Sequence, residues 1–327
     1  MDSPLVSVVM IVYNQKDTFC RAIDSVLAQK CDFPFEILIG DDASTDGTAE
    51  IVKEYAKKNA NIKVFCRTQN LGVTRNAYEL IKVAEGKYIA SCEGDDFWCD
   101  ENKLQKQIDF LESHLDYVGC SHNVNIVNEK GEIYSKRQPD WVSKKRDYSA
   151  VDFKGIYLPG QSGSIVKRNV FKDSDCSIIY SASDKIGDRT TIMLCLPHGK
   201  FYHFDEYMSC YTYSFGHEKR SVTDNNYANN SKAFRDEWNY TLCLEKYART
   251  NFNAPLSFEH YKHSLFFSSV IANIKGGDKR DKTLPSEILH STSKKTEYIF
   301  ALIPWFVIKF LRKIRRRKLK HLYERGI

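Results

Sequence analysis

The sequence has 327 residues, which is enough for one large α/β domain with an appendage or for two domains. Its ten cysteines form no CxxC pair and no secretory signal opens it, so we expect reduced thiols in a cytoplasmic protein. The net charge of +6 is uneven: residues 309–327 hold nine Lys or Arg and one Glu, and the other 308 residues hold 39 basic and 41 acidic side chains. The near-neutral body argues against nucleic-acid binding, and the basic tail predicts a local function at the C-terminus.

The first part of the sequence predicts alternating strands and helices. Apolar runs predict strands over 5–12, 35–39, 62–66 and 88–92, and amphipathic stretches predict helices over 17–29, 48–58 and 74–85. Gly86 is predicted to be the C′ residue of the third helix. This order predicts a parallel sheet with right-handed crossovers, in which the loops after the strands share one edge. No glycine-rich phosphate-binding motif occurs, so a phosphate ligand at this edge would need a metal ion.

The fourth predicted strand leads directly into Glu93-Gly94-Asp95-Asp96, three carboxylates within four residues. Clustered carboxylates repel one another, so a fold keeps them together around a cation or where they face water. Oxygen ligands suit Mg²⁺ or Mn²⁺. Two interpretations are therefore open for this segment, a cation site and an acidic turn that caps the next helix.

The second part of the sequence is less regular. We predict a helix over 103–113, a strand over 117–128, a short strand over 164–166, a helix over 188–196 and an extended segment over 201–213. The polar residues 135–155 are predicted to form an irregular loop over the site. Two helices are predicted between 229 and about 274, in an appended helical region.

The C-terminal end combines eleven apolar or amphipathic residues, 298–308, with the basic run that starts at Lys309. Eleven residues are too few to span a bilayer, which takes about 20. An aromatic apolar segment beside a polybasic one predicts a helix that lies in the interface of an anionic membrane, with contact through residues 298–320. The alternative is a helix that packs on the protein's own body or on a second copy of the chain.

Four motifs occur in a recognisable order: VSVVMIVYN at 6–14, GDDASTDGT at 40–48, NLGVTRN at 70–76 and EGDDFW at 93–98. Together they resemble the family 2 glycosyltransferases of the GT-A fold, in particular bacterial enzymes that build surface glycans. The resemblance implies an α/β Rossmann-like fold, whose mostly parallel central sheet is flanked by helices, here with a C-terminal α-helical extension.

The domain boundaries follow from this resemblance. Residues 1–220 would form the GT-A domain, with a nucleotide-binding half over about 1–100 and an acceptor half over about 101–220. Residues 221–290 would form the α-helical region, and 291–327 the amphipathic, basic, membrane-associating segment.

The resemblance also implies roles on the nucleotide side of the site. Tyr13 would stack on the base, and Asp42 would accept a hydrogen bond from the base N–H, as uridine requires. Asp41 would orient the loop, and Asp46 would cap the following helix. Arg75 would meet the diphosphate or the ribose, and the alternative is an exposed helical arginine.

Glu93 stands where the family carries the first aspartate of its D-x-D signature, and with Asp95 it would contribute to donor binding. Asp95, Asp96 and the later His217 are the predicted ligands of Mn²⁺ or Mg²⁺. This ion would bridge the two donor phosphates and neutralise charge on the departing nucleotide diphosphate.

Asp188, at a predicted helix start, would be the general base that deprotonates the acceptor hydroxyl, with Asp184 in reserve. The alternative for Asp188 is that it only caps this helix. Residues 161–164, Gln-Ser-Gly-Ser, would shape the acceptor side of the site.

The implied activity is inverting, metal-dependent transfer of a hexosyl or N-acetylhexosaminyl group from a nucleotide sugar, UDP-linked in the main hypothesis. The acceptor would be a glycan or a lipid-linked saccharide, and a polyprenyl-diphosphate-linked saccharide is one of the possibilities. The reaction would serve the synthesis of capsule, O-antigen or a related glycan at the inner face of the membrane.

One alternative function is that of a sugar-phosphate nucleotidyltransferase, which is disfavoured because the glycine-rich N-terminal loop of that class is absent. The other is a non-catalytic scaffold of a glycan-assembly complex, favoured only by Glu93. A homo-oligomer is an open possibility.

Overall fold

The computed structural model describes residues 3–136, 138–155, 157–213, 231–275 and 281–300. The chain divides into two compact units. The first comprises residues 1–225 and 242–257, and the second comprises residues 226–241 and 258–327. The predicted domain boundaries at residues 220 and 290 remain predictions.

Within the described residues, ten strands form one mixed sheet in the first unit. They are β1 (Val6–Val12), β2 (Phe35–Asp41), β3 (Ile62–Cys66), β4 (Tyr88–Ser91), β5 (Phe97–Trp98), β6 (Tyr117–Val127), β7 (Ile133–Ser135), β8 (Asp147–Tyr148), β9 (Val166–Arg168) and β10 (Lys200–Thr212). The main order is β3-β2-β1-β4-β9-β6-β10-β5, and β7 pairs with β6 while β8 pairs with β10. The parallel pairing of β1 with β2 and β4, and of β2 with β3, confirms the predicted first half.

The helices up to residue 195 belong to the first unit with the sheet. Helical segments also make up the described part of the second unit. The helices are α1 (Lys16–Leu27), α2 (Thr48–Lys58), α3 (Val73–Val83), α4 (Lys103–Ser113), α5 (Ile178–Ser181), α6 (Asp188–Cys195), α7 (Ser231–Asn251), α8 (Glu259–Lys275), α9 (Leu284–Ser291) and α10 (Lys295–Phe300). The apolar stripe of α1 buries Phe19, Ala22, Ile23 and Val26 against the sheet, as its sequence spacing predicts. None of the helices in the described ranges is both long enough and apolar enough to cross a membrane.

The predicted role of Gly86 is wrong. Helix α3 ends at Val83, and Ala84 rather than a left-handed glycine follows it. A Cβ on Gly86 would lie 2.5 Å from the backbone nitrogen of Ser7 and 2.8 Å from the carbonyl carbon of Val6. Gly86 is therefore required by the close approach of the chain to β1 rather than by the end of the helix.

The strand directions in the later part of the sheet decide which strand ends lie at the edge predicted for the site. β9 is antiparallel to both β4 and β6, and β6 is parallel to β10. The ends of β1, β2, β4 and β10 and the beginning of β9 therefore share one edge. The structure differs from two predictions: the short strand begins at Val166 rather than at Ser164, and β8 pairs with β10 inside the predicted irregular loop.

A cluster of ion pairs around Arg235 links segments of the second unit. The Arg235 guanidinium donates hydrogen bonds of 2.7 and 2.9 Å to the Asp281 carboxylate, and it also pairs with Glu287. Asp281 in turn accepts the N–H of Leu284 at the start of α9. One arginine thereby fixes both the position and the N-terminus of that helix.

Candidate active site at the edge of the sheet

The acidic loop, residues 93–96, follows β4 and is held in place by two distant segments. Asp96 is only 3% exposed. The side-chain amide of Gln161 donates to Asp96 Oδ2 at 2.9 Å, and the backbone N–H of Thr212 donates to Asp96 Oδ1 at 2.8 Å. The Thr212 hydroxyl also donates to the carbonyl of Asp95. The end of β10 and the turn before β9 thus orient the second aspartate of the pair.

The carboxylates of the acidic loop are hard to ionise together. Burial, with the charges of Asp95 and Asp188, raises the pKa of Glu93 to about 8. Burial, with the charges of Asp95 and Glu93, holds the pKa of Asp96 well above its usual range. Burial raises the pKa of Asp95, against the opposing charge of Arg21 on α1. A cation at this position would relieve the repulsion, which favours the cation site over the helix cap.

Asp188 is the first residue of α6 and lies within electrostatic range of the acidic loop, because its charge acts on both Glu93 and Tyr211. Its side chain has protein atoms around it and still reaches solvent. Burial raises its pKa, against the opposing charges of Lys167 and Arg189. A carboxylate with a raised pKa that still reaches solvent is suited to accept a proton. The reserve candidate, Asp184, lies in the exposed segment before α6.

The predicted nucleotide side of the site lies where β1 and β2 end. Tyr13 is 48% exposed, so its ring is available for stacking. The Asp42 N–H donates to the carbonyl of Val12, which joins the two strand ends. The two oxygens of the buried Asp42 carboxylate accept the N–H groups of Leu71 (2.7 Å) and Gly72 (3.0 Å). Each oxygen keeps a second lone pair, so a base N–H can still be accepted.

The neighbouring loop contacts agree with the expected supporting roles. The Asp46 carboxylate accepts the N–H of Thr48 at the start of α2 and the N–H of Lys16 at the start of α1. The Asp41 carboxylate accepts the N–H of Ser44 and so shapes the same loop. Both aspartates therefore organise the backbone around the nucleotide side.

For two predicted site residues the expected role stays a prediction. Arg75 lies on α3, where its guanidinium pairs with Glu79 at 3.2 Å and stacks on the ring of Tyr180 at 4.9 Å. The structure therefore shows the exposed helical arginine that was the alternative, and a diphosphate contact remains a prediction. His217 lies outside the described residues.

Sequence analysis missed a buried lysine beneath the site. Lys103 is fully buried, its ammonium group lies 4.1 Å from the centroid of the Trp98 ring, and it donates to Gln107 Oε1 at 2.8 Å. The Trp98 indole N–H donates to the carbonyl of Gly163, in the turn that also carries Gln161. Burial lowers the pKa of Lys103 to about 7. A lysine at a helix start usually reaches solvent, so nothing in the sequence indicated this position.

The donor set fits a magnesium or manganese ion that completes its coordination with ligands from the substrate. In the part of the chain that the structure describes, no three His, Cys, Asp or Glu side chains form a group able to hold a metal ion. Mg²⁺ is commonly bound through one or two carboxylates together with substrate phosphates. Asp96 fits this pattern because each of its oxygens carries a single hydrogen bond and keeps a lone pair.

Comparison with solved structures identifies the class of fold. The crystal structure of S. aureus TarS residues 1–349 in complex with UDP-GlcNAc is similar over 85% of this chain and 74% of that one, with a TM-score of 0.55 and 18% identity. The chain therefore has the GT-A fold, a Rossmann-like sheet with flanking helices, as predicted. The family follows from the sequence itself: the profile of glycosyl transferase family 2 matches residues 7–174, and the chain belongs to that family.

Two curated relatives each match less than half of the chain. An uncharacterised protein of Mycobacterium tuberculosis is 40% identical over 144 residues, which are 44% of this chain and 41% of that protein. TuaG of Bacillus subtilis, assigned provisionally as a teichuronic acid biosynthesis glycosyltransferase, is 37% identical over 108 residues, 33% of this chain and 42% of that protein. The chain thus spans less than half the length of these relatives.

Proposed function

We propose that this protein is an inverting, metal-dependent glycosyltransferase that moves a sugar from a nucleotide-sugar donor to a saccharide acceptor in surface polysaccharide synthesis. The observation that carries the proposal is the convergence of the acidic loop and Asp188 at the edge of a family 2 sheet. Tyr13 and Asp42 lie at the ends of β1 and β2 on the same edge. These groups correspond to the three needs of the reaction: a base contact, a diphosphate site and a proton acceptor.

In this proposal Asp95 and Asp96 hold a Mn²⁺ or Mg²⁺ ion, and His217 is a further predicted ligand. When bound, the ion neutralises the charge that develops on the departing nucleotide diphosphate. Gln161 and Thr212 fix the Asp96 carboxylate, so its oxygens need little reorganisation when the donor arrives.

Asp188 acts as the general base. It accepts the proton of the acceptor hydroxyl while that oxygen attacks the anomeric carbon of the donor sugar. The bond from this carbon to the diphosphate oxygen breaks on the opposite face, so the anomeric configuration inverts. The raised pKa of Asp188 brings its proton affinity closer to that of the incoming hydroxyl than an ordinary aspartate would allow.

The donor is proposed to be a UDP-sugar that carries a hexosyl or N-acetylhexosaminyl group. Tyr13 would stack on the uracil ring, and Asp42 would accept the uracil N–H through the lone pairs that Leu71 and Gly72 leave available. TarS, which shares the fold, was crystallised with UDP-GlcNAc, and this supports the choice of nucleotide. The similarity to TuaG supports a role in surface polysaccharide synthesis.

The acceptor is proposed to lie at the inner face of the membrane, where polyprenyl-diphosphate-linked saccharides are available. In the apolar segment 298–308, Tyr298 is buried, whereas the next two residues, Ile299 and Phe300, are 50% and 64% exposed. Each basic residue near an anionic surface contributes about 1 kcal/mol of attraction.

Flotation of the full-length protein with vesicles that contain anionic lipid tests the proposed membrane contact, because binding should fall as salt is added. Equal binding to neutral vesicles would contradict it.

A thermal-shift screen of UDP, GDP, CDP and dTDP, each with and without Mn²⁺, tests the donor and the metal together. A ligand that binds only the folded state raises the unfolding midpoint. We expect a shift with UDP that depends on Mn²⁺ and that is lost in Asp96→Asn. The matched control is Asp205→Asn, which removes an exposed carboxylate that pairs with Arg146 elsewhere on the sheet. No shift with any nucleotide would favour the non-catalytic scaffold.

A further inference from the structure

Two cysteines meet beside the acidic loop without taking part in the proposed chemistry. Cys99 directly follows β5, and its N–H donates to the carbonyl of Met208 on β10 at 3.0 Å. In the same antiparallel ladder, Phe97 pairs with Cys210. Residues opposite each other in such a ladder share a face, and so do residues two apart along a strand. Cys99 and Cys210 are therefore diagonal neighbours on one face of the sheet.

A third side chain bridges the two sulfurs. The amide nitrogen of Asn125, which pairs with Cys210 in the sheet, lies 3.7 Å from Cys99 Sγ and 3.9 Å from Cys210 Sγ. The Cys99 sulfur also lies 3.6 Å from the carbonyl of Tyr207. One amide group thus contacts both sulfurs, and the two thiols also interact with each other directly, each being the largest influence on the pKa of the other.

The two thiols differ in access to solvent. Cys99 is exposed, whereas Cys210 is buried with 4% exposure. An oxidant in solution can therefore reach Cys99 more readily than Cys210. An accessible thiol beside a second, resolving thiol is the arrangement of redox-sensitive cysteine pairs.

The local contacts also favour the thiolate of Cys99. The hydrogen bond with Cys210, together with that of Asn125, lowers the pKa of Cys99 to about 7 against the opposing effect of burial, so this thiol ionises more readily than an ordinary cysteine. Two other cysteines that reach solvent have the opposite tendency: burial raises the pKa of Cys66, and it raises that of Cys31 to about 11. Of these three thiols, Cys99 therefore has the largest ionised fraction at a given pH.

We propose that Cys99 is a modification site for hydroperoxides and that Cys210 resolves the product into an intramolecular disulfide. The Cys99 thiolate attacks a peroxide oxygen, the O–O bond breaks, and Cys99 becomes a sulfenic acid while hydroxide leaves. The Cys210 sulfur then attacks Cys99 Sγ, the S–O bond breaks, and the oxygen leaves as water. Overall, two thiols lose two electrons and two protons, and hydrogen peroxide is reduced to two waters.

The disulfide would link two segments that hold the acidic loop. Cys99 lies three residues after Asp96, and Cys210 lies two residues before Thr212, whose N–H binds Asp96 Oδ1. The modification itself does not depend on the proposed enzymatic function. Its detection therefore needs no knowledge of donor or acceptor.

The first test measures alkylation of the reduced full-length protein by iodoacetamide at pH 7, with each cysteine followed by peptide mass spectrometry. Cys99 should react at least about tenfold faster than Cys66, which is also exposed but less ionised. Equal rates would overturn the proposal. This test uses the native protein and does not depend on whether any variant folds.

The second test treats the reduced protein with stoichiometric hydrogen peroxide, followed by alkylation and mapping of linked peptides. A Cys99–Cys210 link that dithiothreitol removes is expected, and it should persist in the control variant Cys66→Ser. In Cys210→Ser, the sulfenic acid on Cys99 should accumulate and react with dimedone. Oxidation of the wild-type protein that leaves Cys99 and Cys210 unlinked would overturn the proposal.

Discussion

The hydrogen bond from Gln161 to Asp96 provides a direct test of how the site is built. Both side chains are only 3% exposed, and the 2.9 Å contact joins an amide donor to a carboxylate. A hydrogen bond to a charged group contributes about 1.5–3 kcal/mol. In Gln161→Leu the Asp96 carboxylate loses this donor, and its pKa, which Gln161 holds down, rises further. Proton binding then competes more strongly with cation binding.

We expect Gln161→Leu to raise the Mn²⁺ concentration that gives half of the UDP-dependent thermal shift by about 10- to 100-fold, the usual effect of losing a group that orients a metal ligand. The matched control is Gln29→Leu. Gln29 is 8% exposed, donates to the carbonyl of Asp100 at 2.8 Å and accepts the N–H of Leu104, away from the acidic loop. Gln29→Leu should lower the free energy of unfolding without changing the Mn²⁺ concentration that gives half of the thermal shift. An unchanged Mn²⁺ requirement in Gln161→Leu would refute the reasoning.

Three further predictions concern stability, measured by chemical denaturation without metal. Because the pKa of Lys103 falls from 10.5 to about 7 on folding, the free energy of unfolding should rise between these pH values by up to about 1.4 kcal/mol per pH unit, and Lys103→Met should lose this rise. Because folding raises the pKa of Glu93 from 4.5 to about 8, its stabilising contribution is lost as the pH rises through 8, so Glu93→Gln should stabilise more at pH 8 than at pH 5. Gly86→Ala should cost about 1–3 kcal/mol through overpacking, whereas Gly187→Ala, whose Cβ would lie 3.5 Å from its nearest neighbour, should be close to neutral. A flat pH profile of the wild-type stability would contradict the prediction for Lys103. An equal effect of Glu93→Gln at both pH values would contradict the prediction for Glu93. Equal losses of stability in the two glycine variants would contradict the prediction for Gly86.

The sequence was sufficient to predict the first half of the sheet because strands buried on both faces appear as continuous apolar runs. The runs at 5–12, 35–39 and 62–66 became β1, β2 and β3 with shifts of at most two residues. The same argument fails for β9, which has three residues, two of them Lys167 and Arg168. Its antiparallel insertion between β4 and β6 depends on tertiary packing that no local pattern records.

The chemistry of the site was predictable only where residues cluster in the sequence. The acidic loop is visible as four consecutive residues, but its supports come from far along the chain: Gln161 is 65 residues away from Asp96 and Thr212 is 116 residues away. Their side chains are ordinary polar groups, and only the fold makes them partners. The thiols of Cys99 and Cys210 were predicted to be reduced and scattered, and the pairing of β5 with β10 is what brings them together.

The central claim is that Asp188 removes a proton from the acceptor of a sugar transfer, and turnover of UDP-sugars by Asp188→Asn tests it most directly. Release of UDP would be followed with the wild type, Asp188→Asn and Asp184→Asn, the last being an exposed carboxylate four residues upstream. Loss of a general base lowers kcat by about 10²–10⁴-fold, so we expect a loss of this size in Asp188→Asn with the Mn²⁺-dependent UDP shift unchanged. Asp184→Asn should retain turnover. Wild-type turnover in Asp188→Asn would contradict the account, and loss in Asp184→Asn alone would transfer the role of the base to Asp184.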